Sequence, residues 1–549
     1  MILAKVQYNA AKYYTYAEIL ELLKQWESAF PTLAKAYPIG QTYEKRDIYV
    51  MELTNQATGP ADDKPAYYID GNFHAGEVTG SAVALYTISY LLENYGQDER
   101  VTSLLDNKTF YIVPRVSIDG AEMYLHTPYI PRSSTRLYPF LEDQDGLHAE
   151  DINGDGFITQ MRVVDPHGDW KVSDKDPRLM VRRAPDDFGG TYYRIYIEGR
   201  IKNFDGIEVK PVRSRWGLDI NRNSPANWVA EAKQPGAGPY PLSEPETRAV
   251  ANFFVSKKNI AGAMSYHTSG GVHLRPMCTK SDDKMPRGDR EYYKAIWERG
   301  TEYTGYPQTG VFDGFTADKS RPMRGIFMDW VYEHRGILCW STELWNVAAQ
   351  AGVEKTDFLS QRRKSPKEQE EDALKLLQWN DKELNGEGFV PWTPFTHPDL
   401  GPVEIGGWKT KFVRQNPPEK FLEAECHNNA MFTVVHALSL PQIGIRKAKV
   451  ECLQPGFYRV SAGIVNQGYL PTSASEMAKS INVTKPVEAS ISGAGIAIPA
   501  GKEKLELGHM SGRSERRVEW LVQAQPGTRA VITAYAERAG KAQVEVVLE

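Results

Sequence analysis

Apolar and polar residues alternate along most of the chain in two distinct periods. Helical spacing occurs in YTYAEILELLKQWESAF and in GSAVALYTISYLLENYG, which ends at Gly96. The residues that share one face of the first predicted helix are Ile19, Leu20, Leu23, Trp26 and Phe30. Short apolar runs rich in aromatic and β-branched residues, typical of strands, are DIYVMELT, AYYID, TFYIVP, AGAMSYH and GILCWSTEL. This mixture predicts an α/β fold with helices packed on a sheet.

The pattern changes from about Arg446 to alternating strands. Seven short strands with turn residues between them predict an antiparallel sandwich of about a hundred residues. That tail contains no paired carboxylates and no group of histidines. We therefore predict two domains, a catalytic domain over residues 1–440 and a smaller accessory all-β sandwich over residues 441–549.

Composition excludes several classes of partner. The 549 residues carry a net charge of −5 with both signs interspersed, so no basic footprint for nucleic acid is present. No apolar run reaches the roughly 18 residues that a membrane span needs, and MILAKVQYNAAKYY does not show the pattern of a signal peptide. The four cysteines match no metal-binding spacing, and we predict buried free thiols at Cys278, Cys339, Cys426 and Cys452.

The stretch DGNFHAGEVTGSA places His74 and Glu77 between a predicted strand and a predicted helix. A His-x-x-Glu pair is weak evidence alone, because chance supplies one roughly once or less in such a chain, and a hydrogen-bonded loop histidine is the ordinary alternative. A catalytic zinc takes three ligands of the His/His/Glu type and leaves a fourth position open. His267 ends another predicted strand and is the candidate third ligand.

Two further stretches carry polar groups in apolar settings. Glu343 ends the strand GILCWSTEL, where a carboxylate is unfavourable unless it is paired or used, and a general base is the natural use. WGLDINRNSPANW places Asn221 beside Arg222, and an arginine fork next to an amide suits the capture of a carboxylate. A structural salt-bridge network remains the alternative for this pair.

Taken in order, these motifs resemble the zinc carboxypeptidase family of the carboxypeptidase A type. The ordered matches are His-x-x-Glu, the VSIDG turn, Asp-x-Asn-Arg-Asn over 219–223, Ser-Glu-Pro-Glu over 243–246, the strand-end His267, the Asp-Trp pair 329–330 and Thr-Glu-Leu over 342–344. An ordered series is far more specific than any one member. The resemblance covers about residues 10 to 350 and implies a mixed sheet flanked by helices.

The resemblance implies a role for each matching residue. His74, Glu77 and His267 match the ligands of one zinc ion, and Glu343 matches the base that takes a proton from water at the metal and passes it to the leaving amine. Asn221 and Arg222 match the pair that binds the terminal carboxylate of the substrate.

Two other transfers leave alternatives open. Arg132, twelve residues after Gly120, falls where the family has the arginine that stabilises the oxyanion, although Arg136 and Arg162 compete for that role. Asp119 of the VSIDG turn is either a turn residue or the hydrogen-bonding partner of a ligand histidine.

The sequence departs from the family in two places. FTADKSRPMRGIFMDW lacks the tyrosine that closes over the chain end in the family, which puts specificity for a terminal carboxylate in doubt. Met328 in that stretch sits where the family sets side-chain preference, and it is equally a core residue. Glu77 and His267 are 190 residues apart, and the surplus lies mainly at about 138–215. We hypothesise that this insertion walls the entrance to the active site.

Within the insertion, EDINGDGFITQMR is similar to the front of a calcium loop. Asp151, Asn153 and Asp155 alternate ahead of Gly156, but the twelfth position is Arg162 rather than glutamate. A weak Ca²⁺ site, completed by Asp143 or Asp145, and a solvated acidic turn are both possible interpretations, and the acidic turn is the commoner case.

The resulting hypothesis is a zinc metallocarboxypeptidase that removes C-terminal amino acids from peptides. The alternative keeps the same zinc site and fold in an amidohydrolase that acts on peptidoglycan stem peptides or N-acyl amino acids. The expected partner is a peptide or peptide-like substrate, without nucleic acid and without a membrane span. The resemblance implies a secreted or periplasmic location, and the sequence does not predict the oligomeric state.

Overall fold

The larger part of the protein is built on an eight-stranded mixed sheet. The computed structural model describes residues 6–353 and 364–549. Before residue 440 the strands are β1 Ala34–Gln41, β2 Asp47–Leu53, β3 Ala66–Gly71, β4 Thr109–Val113, β5 Gly146–Ala149, β6 Gln160–Val164, β7 Trp170–Val172, β8 Met180–Arg182, β9 Tyr193–Ile197, β10 Gly199–Lys202, β11 Ile260–Thr268, β12 Val272–Arg275, β13 Gln308–Gly310, β14 Leu338–Leu344, β15 Phe389–His397 and β16 Gly401–Trp408. The main sheet has the order β1-β2-β4-β3-β11-β14-β12-β13. Its central strands β4, β3, β11 and β14 are parallel, which confirms the predicted α/β fold class.

Helices cover both faces of this sheet. The longer ones are α1 Tyr16–Ala29, α2 Val78–Asn94, α3 Glu99–Asn107, α4 Ile118–His126, α5 Pro245–Ser256, α6 Arg287–Thr304, α7 Pro366–Leu384 and α8 Glu419–Ser439. The side chains of β3 alternate between two hydrophobic cores: Tyr67 and Ile69 pack under α2 and α8, and Tyr68 packs under α5. A strand buried on both faces needs the nearly continuous apolar run seen in the sequence.

The first helix forms where the sequence predicts it. Thr15 and Glu18 make a capping box that fixes its start. Ile19, Leu23 and Trp26 face the core as predicted, and Leu22 is buried there while Leu20 is half-buried. The position along the chain was therefore predicted correctly, and the buried face is rotated slightly from the predicted one.

The insertion at about 138–215 forms a separate layer of strands. β6, β9, β7 and β8 join the hairpin β15–β16 in a six-stranded sheet, and β5 pairs with β10. β6 pairs with β16 in antiparallel register, and Arg162 Nε donates a hydrogen bond to Glu404 Oε2 at 2.8 Å across that junction. The insertion consequently holds a hairpin that lies more than two hundred residues farther along the chain.

The tail folds as the predicted all-β sandwich. Its strands are β17 Ile443–Gln454, β18 Phe457–Asn466, β19 Glu488–Ser492, β20 Ala497–Ala500, β21 Lys504–Glu506, β22 Ser514–Gln523, β23 Thr528–Ala536 and β24 Gly540–Leu548. Two four-stranded sheets, β17-β18-β22-β20 and β21-β19-β23-β24, enclose one hydrophobic core. The sequence prediction missed β20, which is short and largely exposed.

Buried polar contacts join the sandwich to the rest of the protein. The guanidinium of Arg538 donates to the carbonyl oxygens of Arg335 at 2.5 Å and Gly336 at 3.1 Å. Asp289 of α6 accepts hydrogen bonds from the backbone N–H groups of Glu476 and Met477 at 2.7 and 2.9 Å. These contacts saturate carbonyl and amide groups that would otherwise be buried without partners.

Two other expectations are tested by the fold. Within residues 6–353 and 364–549, none of the helices combines the length and the apolar character required to cross a membrane. Cys278, Cys339 and Cys426 are buried free thiols as predicted, whereas Cys452 is a free thiol on the exposed side of β17. The prediction for Cys452 was wrong because β17 is an edge strand of the sandwich, and its last four residues, 451–454, are all exposed.

Candidate metal centre

Three adjacent parallel strands bring the predicted site residues to one edge of the main sheet. His74 and Glu77 follow β3, His267 lies near the end of β11, and Glu343 lies near the end of β14. His267 and Glu343 are paired in the register between β11 and β14. Because β3, β11 and β14 run parallel, their carboxyl ends meet, and a crevice at that edge is the usual ligand site of such sheets.

A close contact between strand and helix shapes the turn that carries His74 and Glu77. A Cβ atom on Gly71 would lie 2.4 Å from the backbone of Gly80, so β3 and the start of α2 approach to a distance that only glycine allows. Asn72 donates its side-chain N–H to the carbonyl oxygen of His74 at 2.5 Å. The turn is therefore fixed from both ends.

The three predicted ligands converge on one point. Their candidate donor atoms all lie within 4.8 Å of one another, and all three residues are buried. Nδ1 of His74 is 2.8 Å from Glu77 Oε1, and Nδ1 of His267 is 2.8 Å from Glu77 Oε2. Although burial would raise it, the pKa of Glu77 is held well below its usual value by the two imidazoles. Two imidazole nitrogens and one carboxylate suit zinc.

The remaining ring nitrogen of each histidine meets a polar group. His74 Nε2 lies 3.1 Å from Asp219 Oδ1, and His267 Nε2 lies 3.3 Å from Ser265 Oγ. Ser265 in turn donates to Asp70 Oδ1 at 2.6 Å. A proton on Nε2 that donates to these acceptors leaves the lone pair of Nδ1 pointing at the shared centre.

The histidine partner is Asp219 rather than Asp119. Asp119 accepts hydrogen bonds from Thr42 Oγ1 at 2.8 Å and from the N–H of Glu44 at 2.8 Å, and Arg46 contacts it at 2.6 Å. It therefore fixes the turn between β1 and β2 and is a turn residue. Asp219 opens the Asp-x-Asn-Arg-Asn motif, and its position before Asn221 and Arg222 was the only sequence signal for its role.

One cavity of about 210 Å³ collects all seven predicted site residues. They are His74, Glu77, Arg132, Asn221, Arg222, His267 and Glu343. The rest of the lining is mainly apolar and sulfur-rich, with Cys278, Met323 and Met328 among its members. Met328 is both a core residue, 1% exposed, and part of the cavity wall. Among the described residues no tyrosine lines this cavity, in agreement with the departure noted in the sequence.

Arg132 is the arginine that the structure brings to the site. Its Nε donates to Asp219 Oδ2 at 2.9 Å, and its Nη1 lies 3.8 Å from Glu77 Oε1. Arg136 is instead bound to Glu244 through two hydrogen bonds of 2.7 and 2.9 Å, and Arg162 is bound to Glu404. The geometry thus favours Arg132 over both competitors.

Arg222 retains free hydrogen-bonding capacity. Nη1 donates to the carbonyl oxygen of Asn221 at 2.8 Å and lies 3.8 Å from Asp219 Oδ2, and Nη2 contacts Met323 Sδ at 3.4 Å. Asn221 is held in place because its Oδ1 accepts the N–H of Phe327 at 2.9 Å. No carboxylate of the described residues occupies the guanidinium fork in bidentate fashion, so the fork can still receive one.

Glu343 faces the metal ligands without a hydrogen-bond partner of its own among the described residues. Burial, and then repulsion by Glu77, raise the pKa of Glu343 to about 7. A carboxylate whose pKa lies near neutrality beside a candidate metal site is suited to accept and return a proton.

The insertion does not support the predicted calcium site, and its residues lie beside the cleft rather than in the metal cavity. Asp151 accepts the backbone N–H groups of Gly154 and Gly156 at 2.8 and 2.9 Å, and Asp155 accepts that of Phe157 at 2.9 Å. These carboxylates serve the turn itself, and among the described residues the group of three ligands that could hold a metal is the one at His74. Residues of 138–215 do not line the cavity of about 210 Å³ or the cleft of about 840 Å³ beside it, but they line a groove of about 610 Å³ that adjoins this cleft at Ile130, Thr410 and Arg414.

Comparisons with known proteins agree with this geometry. The family profile described as zinc carboxypeptidase (peptidase M14) matches residues 19–374, and a domain of unknown function matches residues 442–547. Carboxypeptidase O of Bos taurus is 24% identical over 282 residues, and that match covers 50% of this chain and 55% of the relative. Carboxypeptidase D of Homo sapiens is 32% identical over 100 residues, covering 18% of this chain and 7% of the relative. The chain therefore spans about half of the first relative and far less of the second.

Solved structures show a distant likeness. The crystal structure of thrombin activatable fibrinolysis inhibitor (TAFI) has a TM-score of 0.45 and 16% identity, with coverage of 78% of this chain and 74% of that chain. Carboxypeptidase A from Helicoverpa armigera has a TM-score of 0.41 and 15% identity, with coverage of 70% and 76%.

Proposed function

Since the chain belongs to the zinc carboxypeptidase family of metallopeptidases, we propose that it hydrolyses the last peptide bond of peptide substrates. The observation that carries the proposal is the convergence of His74, Glu77 and His267 opposite Glu343 in one cavity. Two nitrogen ligands and one carboxylate leave a fourth position open, as catalytic zinc sites do. When bound there, zinc would polarise the scissile carbonyl and lower the pKa of a water molecule.

Glu343 is the proposed general base. Glu343 is paired with His267 in the register between β11 and β14. Its pKa of about 7 in the buried cavity lies near neutral pH, so the side chain can both accept and donate a proton there. Glu343 would remove a proton from the attacking water and then deliver it to the amine of the leaving residue. A nearby cation lowers the pKa of a carboxylate, which favours the base form at the start of the reaction.

Arg132 and Arg222 bind two negative charges of the substrate. One is the oxyanion that develops during the reaction, and the other is the terminal carboxylate. Arg132 is held by Asp219 with Nη1 beside Glu77, so its guanidinium is oriented before substrate arrives and can stabilise the oxyanion. Arg222 and Asn221 lie in the same cavity and would take the terminal carboxylate of the substrate as a bidentate ligand. The apolar wall with Met328 favours an apolar or aromatic last residue.

We also propose the two-domain organisation predicted from the sequence, with residues 1–440 as the catalytic domain and 441–549 as an accessory β-sandwich. The sandwich encloses a hydrophobic core of its own, which supports this division, and Leu470 and Ala474 of the tail pack into the core of the larger part. The buried contacts of Arg538 and Asp289 support a docking or stabilising role for the sandwich.

The test is release of C-terminal residues from a panel of blocked dipeptides and longer peptides, followed by mass spectrometry. The zinc-loaded protein, a chelated sample and Glu343→Gln are compared, with Glu298→Gln as a matched control because Glu298 is an exposed residue of α6. We expect release that requires zinc, survives Glu298→Gln and falls by at least about 10³-fold in Glu343→Gln. If no C-terminal residue is released from any peptide while one zinc per chain is bound, the peptidase proposal is refuted.

Recognition of the terminal carboxylate is tested separately. Each peptide is supplied as the free acid and as the C-terminal amide, and Arg222→Gln is compared with the wild type. A strong preference for the free acid that disappears in Arg222→Gln supports a carboxypeptidase. Equal turnover of acid and amide would favour the alternative amidohydrolase, and the supporting observation is that no tyrosine of the described residues lines the cavity.

A further inference from the structure

A second and larger cleft continues from the metal cavity. It has a volume of about 840 Å³, and Glu77 and Arg132 line both spaces. Asn221 and Arg222 line only the smaller cavity. A substrate whose terminal carboxylate lies at Arg222 must therefore extend its remaining residues, on the amino side of the scissile bond, into the larger cleft.

One wall of the cleft comes from the segment Thr410–Gln415, which follows β16 and lies outside the family match at residues 19–374. Hydrogen bonds hold the segment to the residues that follow β14 and to the turn that carries His74 and Glu77. Trp345 Nε1 donates to the carbonyl oxygen of Val413 at 2.8 Å, and Asn416 Nδ2 donates to that of Gly76 at 2.7 Å. Its position relative to the metal ligands is thereby fixed.

Gly76 allows this close approach. It lies between His74 and Glu77, and a Cβ atom at position 76 would lie 2.7 Å from Gln415 Nε2 and 2.8 Å from the ring of Tyr124. A larger residue there would have to displace the side-chain amide of Gln415 and the ring of Tyr124. The turn of the metal ligands and the segment are thus fitted to each other.

Arg414 is the uncommitted cation of this wall. It lines the 840 Å³ cleft and also an adjoining groove of about 610 Å³. Part of its side chain is exposed to solvent, and desolvation of the guanidinium by the residues packed around it lowers the pKa of Arg414. Across residues 6–353 and 364–549, no carboxylate pairs with Arg414 and no acceptor takes its N–H groups. The other ionisable groups lining the cleft are Glu77, a candidate metal ligand, and Arg132, which is bound to Asp219.

We propose that Arg414 is a specificity-determining residue that binds a carboxylate carried by the substrate on the amino side of the scissile bond. An arginine in a cleft, with a planar fork that none of the described residues occupies, matches a carboxylate by charge and geometry. The group could be the side chain of an aspartate or glutamate, or the free α-carboxylate of a γ-linked glutamate. The inference rests on the proposed carboxypeptidase function.

The experiment measures kcat/KM for matched peptides that differ only by glutamate or glutamine at the first, second or third residue before the scissile bond. A third set carries γ-linked glutamate at the same positions. The proteins are the zinc-loaded wild type, Arg414→Gln, Arg414→Lys and Lys409→Gln. Lys409 is the matched control because it is a cation near the same segment that lies over the ring of Phe157, 4.4 Å from its centre, and does not line the cleft. Thermal unfolding curves are recorded for each variant to verify that it is folded.

We expect the wild type to prefer glutamate over glutamine by about ten-fold at one position, as a charge-assisted hydrogen bond supplies. Arg414→Gln should remove the preference without changing turnover of the glutamine peptide, Arg414→Lys should keep part of it, and Lys409→Gln should keep all of it. The α-linked and γ-linked sets show which carboxylate is used. Turnover without any such preference, or a preference that survives Arg414→Gln, would overturn this inference and leave the carboxypeptidase proposal intact. Failure of the wild type to cleave any peptide would overturn both.

Discussion

Asp219 holds together the metal ligand and the two arginines of the candidate active site, so its replacement tests the whole arrangement. Oδ1 lies 3.1 Å from His74 Nε2 and accepts the N–H of Asn221 at 2.9 Å, and Oδ2 accepts Arg132 Nε at 2.9 Å. Although burial would raise it, the pKa of Asp219 is held well below its ordinary value by Arg132 and Arg222. The carboxylate is therefore charged throughout the working pH range.

The expected magnitude follows from these contacts. Loss of the hydrogen-bonding partner of a ligand histidine lowers metal affinity about 10–100-fold, or roughly 1.4–2.7 kcal/mol. Asp219→Ala also releases Arg132, and loss of an oriented oxyanion donor lowers kcat by about 10²–10³ even when zinc is saturating. Asp219→Asn keeps an acceptor for His74 but loses the charge that holds Arg132, so we expect a small loss of affinity and most of the loss in kcat.

Two assays separate the effects. Zinc affinity is measured by competition with a chromophoric chelator, and kcat/KM is measured at saturating zinc. Asp119→Asn is the control, because Asp119 fixes the turn at Thr42 and Arg46 and does not contact the site. Wild-type zinc affinity in a folded Asp219→Ala would refute the proposed orientation of His74, and unchanged kcat in that variant would refute the role given to Arg132.

Four further results are expected. In a pH–rate profile, activity should fall toward acid pH as Glu343 becomes protonated, with an apparent pKa no higher than about 7, which is the pKa of Glu343 in the metal-free site. The residual activity of Glu343→Gln should lack this fall. Burial, and then Glu333, raise the pKa of Asp329 to about 7; its unfolded-state pKa is lower, so the wild type should lose stability relative to Asp329→Asn as pH rises from about 4 to 7, by up to about 4 kcal/mol in denaturant unfolding. Asp151→Asn should leave calcium titrations by calorimetry as flat as in the wild type, and a saturable calcium signal in the wild type would contradict this. Arg538→Leu should lower the free energy of unfolding by about 1–3 kcal/mol, because carbonyl groups would stay buried without donors, and an unchanged melting curve would contradict it.

The sequence predicted which side chains meet at the candidate site better than it predicted the contacts that hold them there. His74, His267 and Glu343 each lie next to or within a strand end, and parallel strands bring such residues to one edge whatever their separation in the chain. A local pattern is therefore enough to propose that they meet. Which aspartate supports His74 depends on how two loops pass each other, and neither Asp119 nor Asp219 carries that information locally.

The insertion shows the same limit. Its strands were not predicted to pair with anything, and β6 pairs with β16, whose Glu404 lies 242 residues beyond Arg162. Alternation along a strand reveals which side chains share a face, but it does not identify the neighbouring strand. Residues of the insertion line the groove of about 610 Å³ that adjoins the cleft, and they line neither the cleft nor the metal cavity itself.

The proposed catalytic groups and the proposed specificity residue come from different kinds of element. Proton transfer and metal binding require atoms placed to within a fraction of an ångström, and the sheet strands and the Gly71–Gly80 contact provide that rigidity. Choice among substrates needs only a cation at the correct side of the cleft, which a connecting segment can supply. Arg414 meets this requirement because its neighbours in the chain are held by hydrogen bonds, Val413 to Trp345 and Asn416 to Gly76.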